Sequence, residues 1–265
     1  MLISLLSWLY KNISKPIFFR FDPELVHNFV TSQGEFIGKF QTPNEILGKL
    51  FAKKSLVLKQ KVAGIKFESP VGLAAGFDYE ARLTQTLFTF GFGFQTVGTI
   101  TNLPYKGNPR PMLGRLPKSK SLMVNKGFKN LGARKTAEKL ANQTFKIPLG
   151  ISIGVTNPGP GKKLSEAKSS SAGQKSAIGD ILQAFTIFED SNIKNAYYEL
   201  NISCPNLYGN VSFYPPKNLD ELLSAVDELK LNKPVFIKMP INETDEQTLK
   251  MLDVKKSHGI LSQVR

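Results

Sequence analysis

The 265-residue chain has 41% hydrophobic and 21% charged side chains, a composition typical of a globular protein with one large domain or two small ones. Its single cysteine excludes an internal disulfide, and no apolar run reaches the roughly 18 residues that a membrane-spanning helix needs. The 35 basic residues outnumber the 21 acidic ones and give a net charge of +14, which favours anionic partners such as phosphate groups, an acidic membrane surface or nucleic acid.

The first 40 residues predict two short helices with apolar faces. Residues 1–13 indicate an amphipathic helix that ends before Lys15-Pro16, and this stretch lacks the basic start and the cleavage site of a signal peptide. A second helix is predicted over about 22–38, with Pro23 in its first position. Aromatic and basic residues nearby suit a membrane interface: Trp8, Phe18, Phe19, Lys11, Lys15 and Arg20. We therefore predict that residues 1–40 face a membrane, while packing of both helices on the chain's own domain is an equally open alternative.

The remainder of the chain alternates strand-like and helix-like stretches. Residues 55–60 and 64–68 predict a hairpin that turns at Ala63-Gly64. The predicted strands that follow are continuous apolar runs: Val71–Phe77, Gly93–Thr99, Pro148–Gly154, Tyr197–Ser203 and Pro234–Pro240. Helices are predicted at about 80–90, 131–142, 177–190, 218–230 and 244–256, and an exposed Ser/Gly/Lys-rich loop at about 157–175. Apolar strands that alternate with helices indicate parallel βαβ units.

Small and polar residues gather where these predicted strands end. The clearest case is Asn201-Ile202-Ser203-Cys204-Pro205-Asn206, where an apolar strand ends in two carboxamides, a hydroxyl and the only thiol. In α/β barrels the functional site is built at this carboxyl-terminal rim. A lone cysteine is more often a small buried hydrophobic residue than a reactive group, so both roles stay open for Cys204 on this stretch alone.

The number of predicted βα units falls short of a closed barrel. Five units are present, whereas a barrel of this kind needs eight. A sixth strand is predicted to begin after His258-Gly259-Ile260, close to the last residue given. Two explanations stay open, a C-terminally shortened barrel or an open sheet with unpaired edge strands.

A set of motifs occurs along the chain in the order that one known family has. They are Gly72-Leu73-Ala74-Ala75-Gly76-Phe77-Asp78, Val97-Gly98-Thr99-Ile100-Thr101, Gly107-Asn108-Pro109-Arg110-Pro111, Gly127-Phe128 and the stretch from Asn201 to Asn206. Together they resemble dihydroorotate dehydrogenase, and Phe21-Asp22-Pro23-Glu24 with His27 resembles the N-terminal segment of its quinone-dependent, membrane-associated class. The resemblance implies an α/β fold of the (β/α)8 TIM-barrel type with about five of its eight units. It also implies two parts, an N-terminal helical segment at 1–40 and a partial FMN-binding barrel at 41–265.

The same resemblance implies an activity and a set of site residues. The activity is oxidation of dihydroorotate to orotate in pyrimidine (UMP) biosynthesis, with FMN as cofactor and a quinone as electron acceptor, by a peripheral protein on the cytoplasmic face of the cell membrane. Cys204 stands at the position of the catalytic base, which takes a proton while the flavin accepts a hydride. The implied substrate-binding residues are Asn201, Asn206, Asn125, Gly127, Phe128 and Tyr79. The implied cofactor-binding residues are Ala75, Gly76, Thr99, Ser152, Asn201 and Lys238.

Several positions depart from the family's pattern. The quinone-dependent class usually has serine where Cys204 stands, and cysteine resembles the soluble class. Tyr79 replaces a lysine that touches flavin and substrate, Ser152 replaces a flavin-contacting asparagine, and Val155 replaces a second lysine. The family's glycine-rich loops for the FMN phosphate would follow residue 265. We therefore expect this chain alone to hold FMN poorly and to be weakly active or inactive.

Two alternatives accompany this interpretation. A tRNA dihydrouridine synthase is also an FMN barrel with a cysteine before a proline, and the charge of +14 would suit RNA. The asparagines that frame Cys204 favour the first interpretation, so no nucleic-acid partner is expected. A non-catalytic remnant of the family is the second alternative, supported by Tyr79 and Val155. His27 and His258 are far apart in the sequence, so we predict no metal site.

Overall fold

The computed structural model describes most of the chain, namely residues 2–52, 56–160, 171–208, 212–240, 242–258 and 261–263. Residues 161–170 of the loop predicted over about 157–175 lie outside the described residues, and the loop prediction was wrong for 171–175, which belong to a helix that begins at Ser171. Gly259 and Ile260, which precede the predicted sixth strand, also lie outside the described residues.

Helical segments precede the sheet: α1 (Leu2–Leu9), a π-helical turn (Tyr10–Ser14), α2 (Lys15–Phe18), α3 (Pro23–Gly38) and the unpredicted α4 (Gln41–Phe51). The predicted end before Lys15-Pro16 was wrong. Pro16 follows the last π-type bond, so its missing N–H is tolerated where the helical register changes. The second predicted helix is confirmed, and Asp22 caps α3 by accepting hydrogen bonds from two backbone N–H groups, at 2.8 and 3.1 Å. Within the part of the chain that is described, no helix is long and apolar enough to cross a membrane.

The predicted hairpin at Ala63-Gly64 is confirmed, although its strands are shorter than expected. β1 (Gln60–Val62) pairs antiparallel with β2 (Ile65–Phe67), and Leu56–Leu58 forms a 3-10 turn instead of part of the first strand. Ala63 and Gly64 both have positive φ angles, as a tight hairpin turn requires.

The two elements predicted after this hairpin form only in part. Val71–Phe77 makes one parallel bridge, between Leu73 and Gln95, and backbone hydrogen bonds to residues 93–98, but it is not a full strand, and its backbone turns at Gly76, where φ is +109°. The stretch at 80–90 contains only a short 3-10 helix, Leu87–Phe90. Ala81 has a φ of +52°, which an α-helix excludes.

The chain then alternates between strands and helices as predicted. The elements are β3 (Gln95–Ile100), β4 (Leu113–Leu116), β5 (Ser121–Val124), α5 (Ala133–Leu140), β6 (Leu149–Ile153), α6 (Ser171–Glu189), β7 (Tyr197–Asn201), α7 (Pro216–Glu228), β8 (Val235–Lys238), α8 (Asp245–Lys256) and β9 (Leu261–Gln263). Strands β3, β6, β7, β8 and β9 form a parallel sheet in that order, which confirms the predicted βαβ units. β9 confirms the strand that was predicted to begin after His258-Gly259-Ile260, whereas Val71–Phe77 is not one of the five strands of this sheet. The β4–β5 hairpin was not predicted.

Alternation along the strands separates apolar from polar side chains. In β7, Tyr198 and Leu200 are fully buried in the main core, which the helices cover with residues such as Phe185. The intervening Glu199 and Asn201 point to the opposite face of the sheet, which is the inner face of a barrel. This face carries buried polar groups toward the carboxyl ends of the strands.

His258 holds the end of α8 against α7. Its Nδ1 lies 2.7 Å from an oxygen of Asp227, and its Nε2 lies 3.0 Å from an oxygen of Asp220. Burial by itself would lower the pKa of His258, but the two carboxylates outweigh it and raise the pKa above its ordinary value.

Candidate active site

A cavity of about 490 Å³ opens at the carboxyl ends of β3, β7 and β8. Each of these strands contributes a polar side chain to its wall, and these are Thr99, Asn201 and Lys238. Cys204 reaches the same cavity from the loop that follows β7. The parallel strands bring these residues together because their carboxyl ends meet at one edge of the sheet.

Most of the residues singled out from the sequence line this cavity. They are Ala75, Gly76, Tyr79, Thr99, Gly127, Phe128, Asn201, Cys204, Asn206 and Lys238. Ser152 and Asn125 are not part of its lining, and Ser152 lies behind the wall, where it hydrogen-bonds to Thr99. The lining also contains residues that the sequence did not single out, among them Lys126, Lys129 and Met239.

A buried chain of hydrogen bonds fixes the amide of Asn201. Its Nδ2 donates to Thr99 Oγ1 at 2.7 Å, Thr99 and Ser152 share a bond of 2.9 Å, and Ser152 Oγ donates to Glu199 at 2.8 Å. Because Asn201 can only donate here and the carboxylate can only accept, each hydroxyl donates toward Glu199. The other end of the amide, Asn201 Oδ1, accepts from the backbone N–H of Ser203 at 3.1 Å and from its hydroxyl at 3.0 Å. Among the described residues, the second N–H of Asn201 Nδ2 has no acceptor and could donate to a ligand.

The thiol of Cys204 is half-buried. Burial raises its pKa, while the backbone N–H of Asn206 and the charge of Lys238 partly oppose that rise. In the ligand-free chain, burial has the larger effect on this pKa. Cys204 is therefore protonated at neutral pH before a ligand binds.

An amide network ties the loop after β5 to the loop that carries Cys204. Asn108 Nδ2 donates to Asn125 Oδ1 at 2.8 Å and to the carbonyl of Asn206 at 3.0 Å. Asn206 Nδ2 donates in turn to the carbonyl of Val124 at 3.1 Å. The side chain of Asn125 is thus engaged with Asn108, and its predicted role in substrate binding stays a prediction.

Tyr79 forms a buried wall of the cavity. Its hydroxyl donates to Asn28 Oδ1 at 3.2 Å, and its ring stacks on that of His27 with centroids 5.5 Å apart. Burial, followed by the charges of Lys126 and Arg82, lowers the pKa of His27 to about 4, so this imidazole is neutral at pH 7. The ammonium of Lys126 lies 4.1 Å from the centroid of the Tyr79 ring. Sequence reasoning missed Lys126, whose only signal was a basic residue directly before Gly127-Phe128.

One part of the cavity wall, formed by Ala75 and Gly76, has room for a flat ring. Ala75 and Gly76 line it, and a Cβ placed on Gly76 would meet no atom within 4 Å. The backbone of Gly76 adopts a φ of +109°, which an L side chain rarely allows. The residues present therefore fit the ring of a planar cofactor such as a flavin.

Comparison with known proteins identifies relatives. The family described as dihydroorotate dehydrogenase matches residues 57–265. The dihydroorotate dehydrogenase (quinone) of Christiangramia forsetii is 30% identical over 251 residues, which are 93% of this chain and 68% of that protein. The enzyme of the same name from Corynebacterium diphtheriae is 29% identical over 242 residues, 91% of this chain and 62% of that protein.

Solved structures show the same fold. A crystal structure of DHODH from Eimeria tenella in complex with ferulenol matches with a TM-score of 0.70 and 24% identity, and covers 90% of this chain and 65% of that one. A ligand-free structure from the same organism matches with a TM-score of 0.66 and 25% identity. The chain spans about two thirds of the length of the relatives that it matches. These matches confirm the TIM-barrel fold class, of which this chain holds an incomplete barrel.

Proposed function

This chain belongs to the dihydroorotate dehydrogenase family, and we propose that it oxidises dihydroorotate to orotate in pyrimidine synthesis, with FMN as cofactor and a quinone as electron acceptor. The observation that carries the proposal is the cavity in which Cys204 and the amide of Asn201 meet beside the wall of Ala75 and Gly76. The family match also favours this function over the tRNA dihydrouridine synthase alternative.

The reaction needs a base and an electron acceptor. Oxidation removes a proton from the carbon next to a carbonyl and a hydride from the neighbouring carbon. FMN, when bound, supplies the acceptor for the hydride. The thiolate of Cys204 takes the proton, and the charge of Lys238 favours that thiolate. Asn201 and Asn206 orient the substrate through their amides, and Gly127 and Phe128 close the cavity beside it.

The flavin ring would lie on Ala75 and Gly76, where a larger side chain at the glycine would be strained. Thr99 and Lys238 would contact its polar edge, since both line the cavity at the carboxyl ends of strands. Ser152 would act from behind the wall, because its hydroxyl holds the orientation of Thr99.

A flavin spectrum with substrate-dependent bleaching tests the proposal. The purified chain is mixed with FMN, freed of excess cofactor and titrated with dihydroorotate, and reduction of a soluble quinone is then followed. Cys204→Ala is expected to keep the flavin spectrum and to lose about 10²- to 10⁴-fold in rate, the contribution of a general base. A chain that binds no FMN would favour the non-catalytic remnant, and salt-dependent binding of tRNA would favour the RNA enzyme.

We further propose that the outer face of the N-terminal helices binds a membrane surface peripherally, on its cytoplasmic side, where a quinone would be reached. α1 buries no residue and exposes Trp8 to 56%. α3 turns the polar residues Glu24 and Thr31 inward, and exposes Leu25 and Phe29. A helix that buries its polar side and exposes its apolar side is the reverse of the usual arrangement in water, and it suits an apolar partner.

Sedimentation with anionic lipid vesicles tests this surface. Trp8→Ser and Phe29→Ser are each expected to weaken vesicle binding about tenfold, because each removes a large apolar side chain from the interface. Leu249→Ser is the matched control, since Leu249 is similarly exposed but lies on α8. Equal effects of all three substitutions would contradict the proposal.

A further inference from the structure

Lys126 has an ammonium group that the fold buries without satisfying. The residue is 9% exposed, and its Nζ has no hydrogen-bond partner among the described residues. An ammonium carries three donors, and burying such a group without a partner destabilises a protein by several kcal/mol at the order-of-magnitude level. A buried cation of this kind indicates a partner that arrives from outside the chain.

The neighbouring Lys129 provides a comparison, because its ammonium does have a hydrogen-bond partner. Its ammonium lies 5.6 Å from the Tyr79 ring, but it also donates to Glu24 at 2.8 Å. Glu24 is 3% exposed, so this pair ties α3 to the loop after β5. Lys129 thus has a structural role, whereas Lys126 makes no such pair in the described part of the chain.

The position of the Lys126 ammonium is well defined. The ammonium lies over the Tyr79 ring. This ring is held in place by the hydrogen bond of the Tyr79 hydroxyl to Asn28 and by stacking on His27. The backbone beside it is held too, because Asn157 Nδ2 donates to the carbonyl of Gly127 at 2.9 Å. The Lys126 side chain therefore lines the cavity together with Asn201 and Cys204, with its ammonium buried against the Tyr79 ring.

We propose that Lys126 binds the carboxylate of the substrate and product, so that the loop after β5 supplies the charged group that recognises this carboxylate. The proposal rests on the proposed function, which supplies a small ring acid as ligand, and deepens it by naming the group that recognises the acid. A carboxylate completes what Lys126 lacks, since it offers charge and hydrogen-bond acceptors at once. Burial, opposed by Glu24 and reinforced by Lys129, lowers the pKa of Lys126 to about 8, so most of the population is still charged at pH 7.

Orotate binding to the FMN-loaded chain tests the assignment by calorimetry. Lys126→Met removes the charge at similar length and is expected to weaken orotate binding about 10- to 100-fold, the range of a hydrogen bond to a charged group. Lys126→Arg keeps the charge and is expected to recover most of the affinity. Lys118→Met, an exposed site on the β4–β5 turn, controls for the change in net charge and is expected to have no effect. Uracil, which lacks the carboxylate, is expected to bind the unchanged chain and Lys126→Met alike.

Thermal unfolding without ligand gives a second, independent measurement. Removing an unsatisfied buried charge is expected to leave the melting temperature of Lys126→Met equal to that of the unchanged chain or higher. A clearly lower melting temperature would assign Lys126 a structural role and overturn the proposal. Equal orotate affinity of the unchanged chain and Lys126→Met, or a loss confined to FMN binding, would overturn it as well. Failure of the unchanged chain to bind either FMN or orotate would overturn the proposed function too.

Discussion

Two ion pairs of nearly equal length allow a direct test of how burial sets the strength of an ion pair in this protein. Glu24 and Lys129 are 2.8 Å apart with side chains 3% and 19% exposed. Glu68 and Lys59 are 2.9 Å apart with side chains 51% and 45% exposed. The distances alone predict that the two ion pairs are equally strong. The difference in burial predicts that the Glu24–Lys129 pair is much stronger, because water screens the exposed pair.

The expected magnitudes follow from the surroundings of each carboxylate. Breaking a fully buried pair costs about 3–5 kcal/mol, and the partial exposure of Lys129 lowers our expectation for Glu24→Gln to about 2–3 kcal/mol. Arg110, whose Nε is 3.8 Å from Glu24, is too exposed to add much. Glu68→Gln is expected to cost about 0–1 kcal/mol, as exposed pairs do.

Double-mutant cycles with Lys129→Met and Lys59→Met isolate the two coupling energies. Urea unfolding followed by circular dichroism gives the global free energies, and amide hydrogen exchange in α3 detects whether Glu24→Gln releases this helix locally. We expect loss of exchange protection in α3 for Glu24→Gln and none for Glu68→Gln. Coupling energies that agree within about 0.5 kcal/mol would refute the argument that burial decides the strength of these pairs.

Three further predictions concern the base, the α7–α8 contact and two glycines. Because burial raises the pKa of Cys204, the rate of dihydroorotate oxidation is expected to keep rising with pH until the pH exceeds the ordinary pKa of a thiol. Cys204→Ser is expected to remove this rise, and a pH-independent rate in the unchanged chain would contradict the prediction. Two aspartates of α7 raise the pKa of His258, so the charged imidazole stabilises the folded chain fully below about pH 6.5, and this stabilisation is lost as the pH rises through the higher folded-state pKa. The melting temperature of the unchanged chain should fall over this pH range, and that of His258→Gln should not. A Cβ on Gly93 would lie within 3 Å of the Ser69 backbone, so Gly93→Ala is expected to destabilise the chain by about 1–3 kcal/mol in urea. Gly179→Ala, which meets open space inside α6, is expected to stabilise it by about 0.5–1 kcal/mol, and the same sign for both substitutions would count against the packing argument.

Local patterns in the sequence were sufficient to predict most helices and strands and to place Cys204 at the rim of the sheet. The apolar runs that became β6, β7 and β8 are buried on both faces, so their composition reports their environment directly. Cys204 and Asn201 could be assigned to a rim because they follow an apolar run without interruption. The same reasoning was only partly right for Val71–Phe77, which pairs with residues 93–98 but turns at Gly76 and forms no full strand. It also missed the β4–β5 hairpin, whose short strands contain no buried residue and so lack the continuous buried run of the sheet strands.

Only the tertiary structure decided how residues distant in the sequence combine in the site. In the sequence, Tyr79 stands where the family has a lysine, which indicated the loss of a positive charge. The fold, however, brings the ammonium of Lys126 onto the Tyr79 ring from another segment. The resemblance implied that Ser152 contacts the flavin, whereas the sheet places Ser152 behind Thr99, to which it hydrogen-bonds. Secondary structure depends on neighbours along the chain, whereas the burial and pairing of a charge depend on which segments meet in space. The sequence therefore determined the order of the elements and the residue at the rim, and the tertiary packing decided that Lys126 lines the cavity with no hydrogen-bond partner among the described residues.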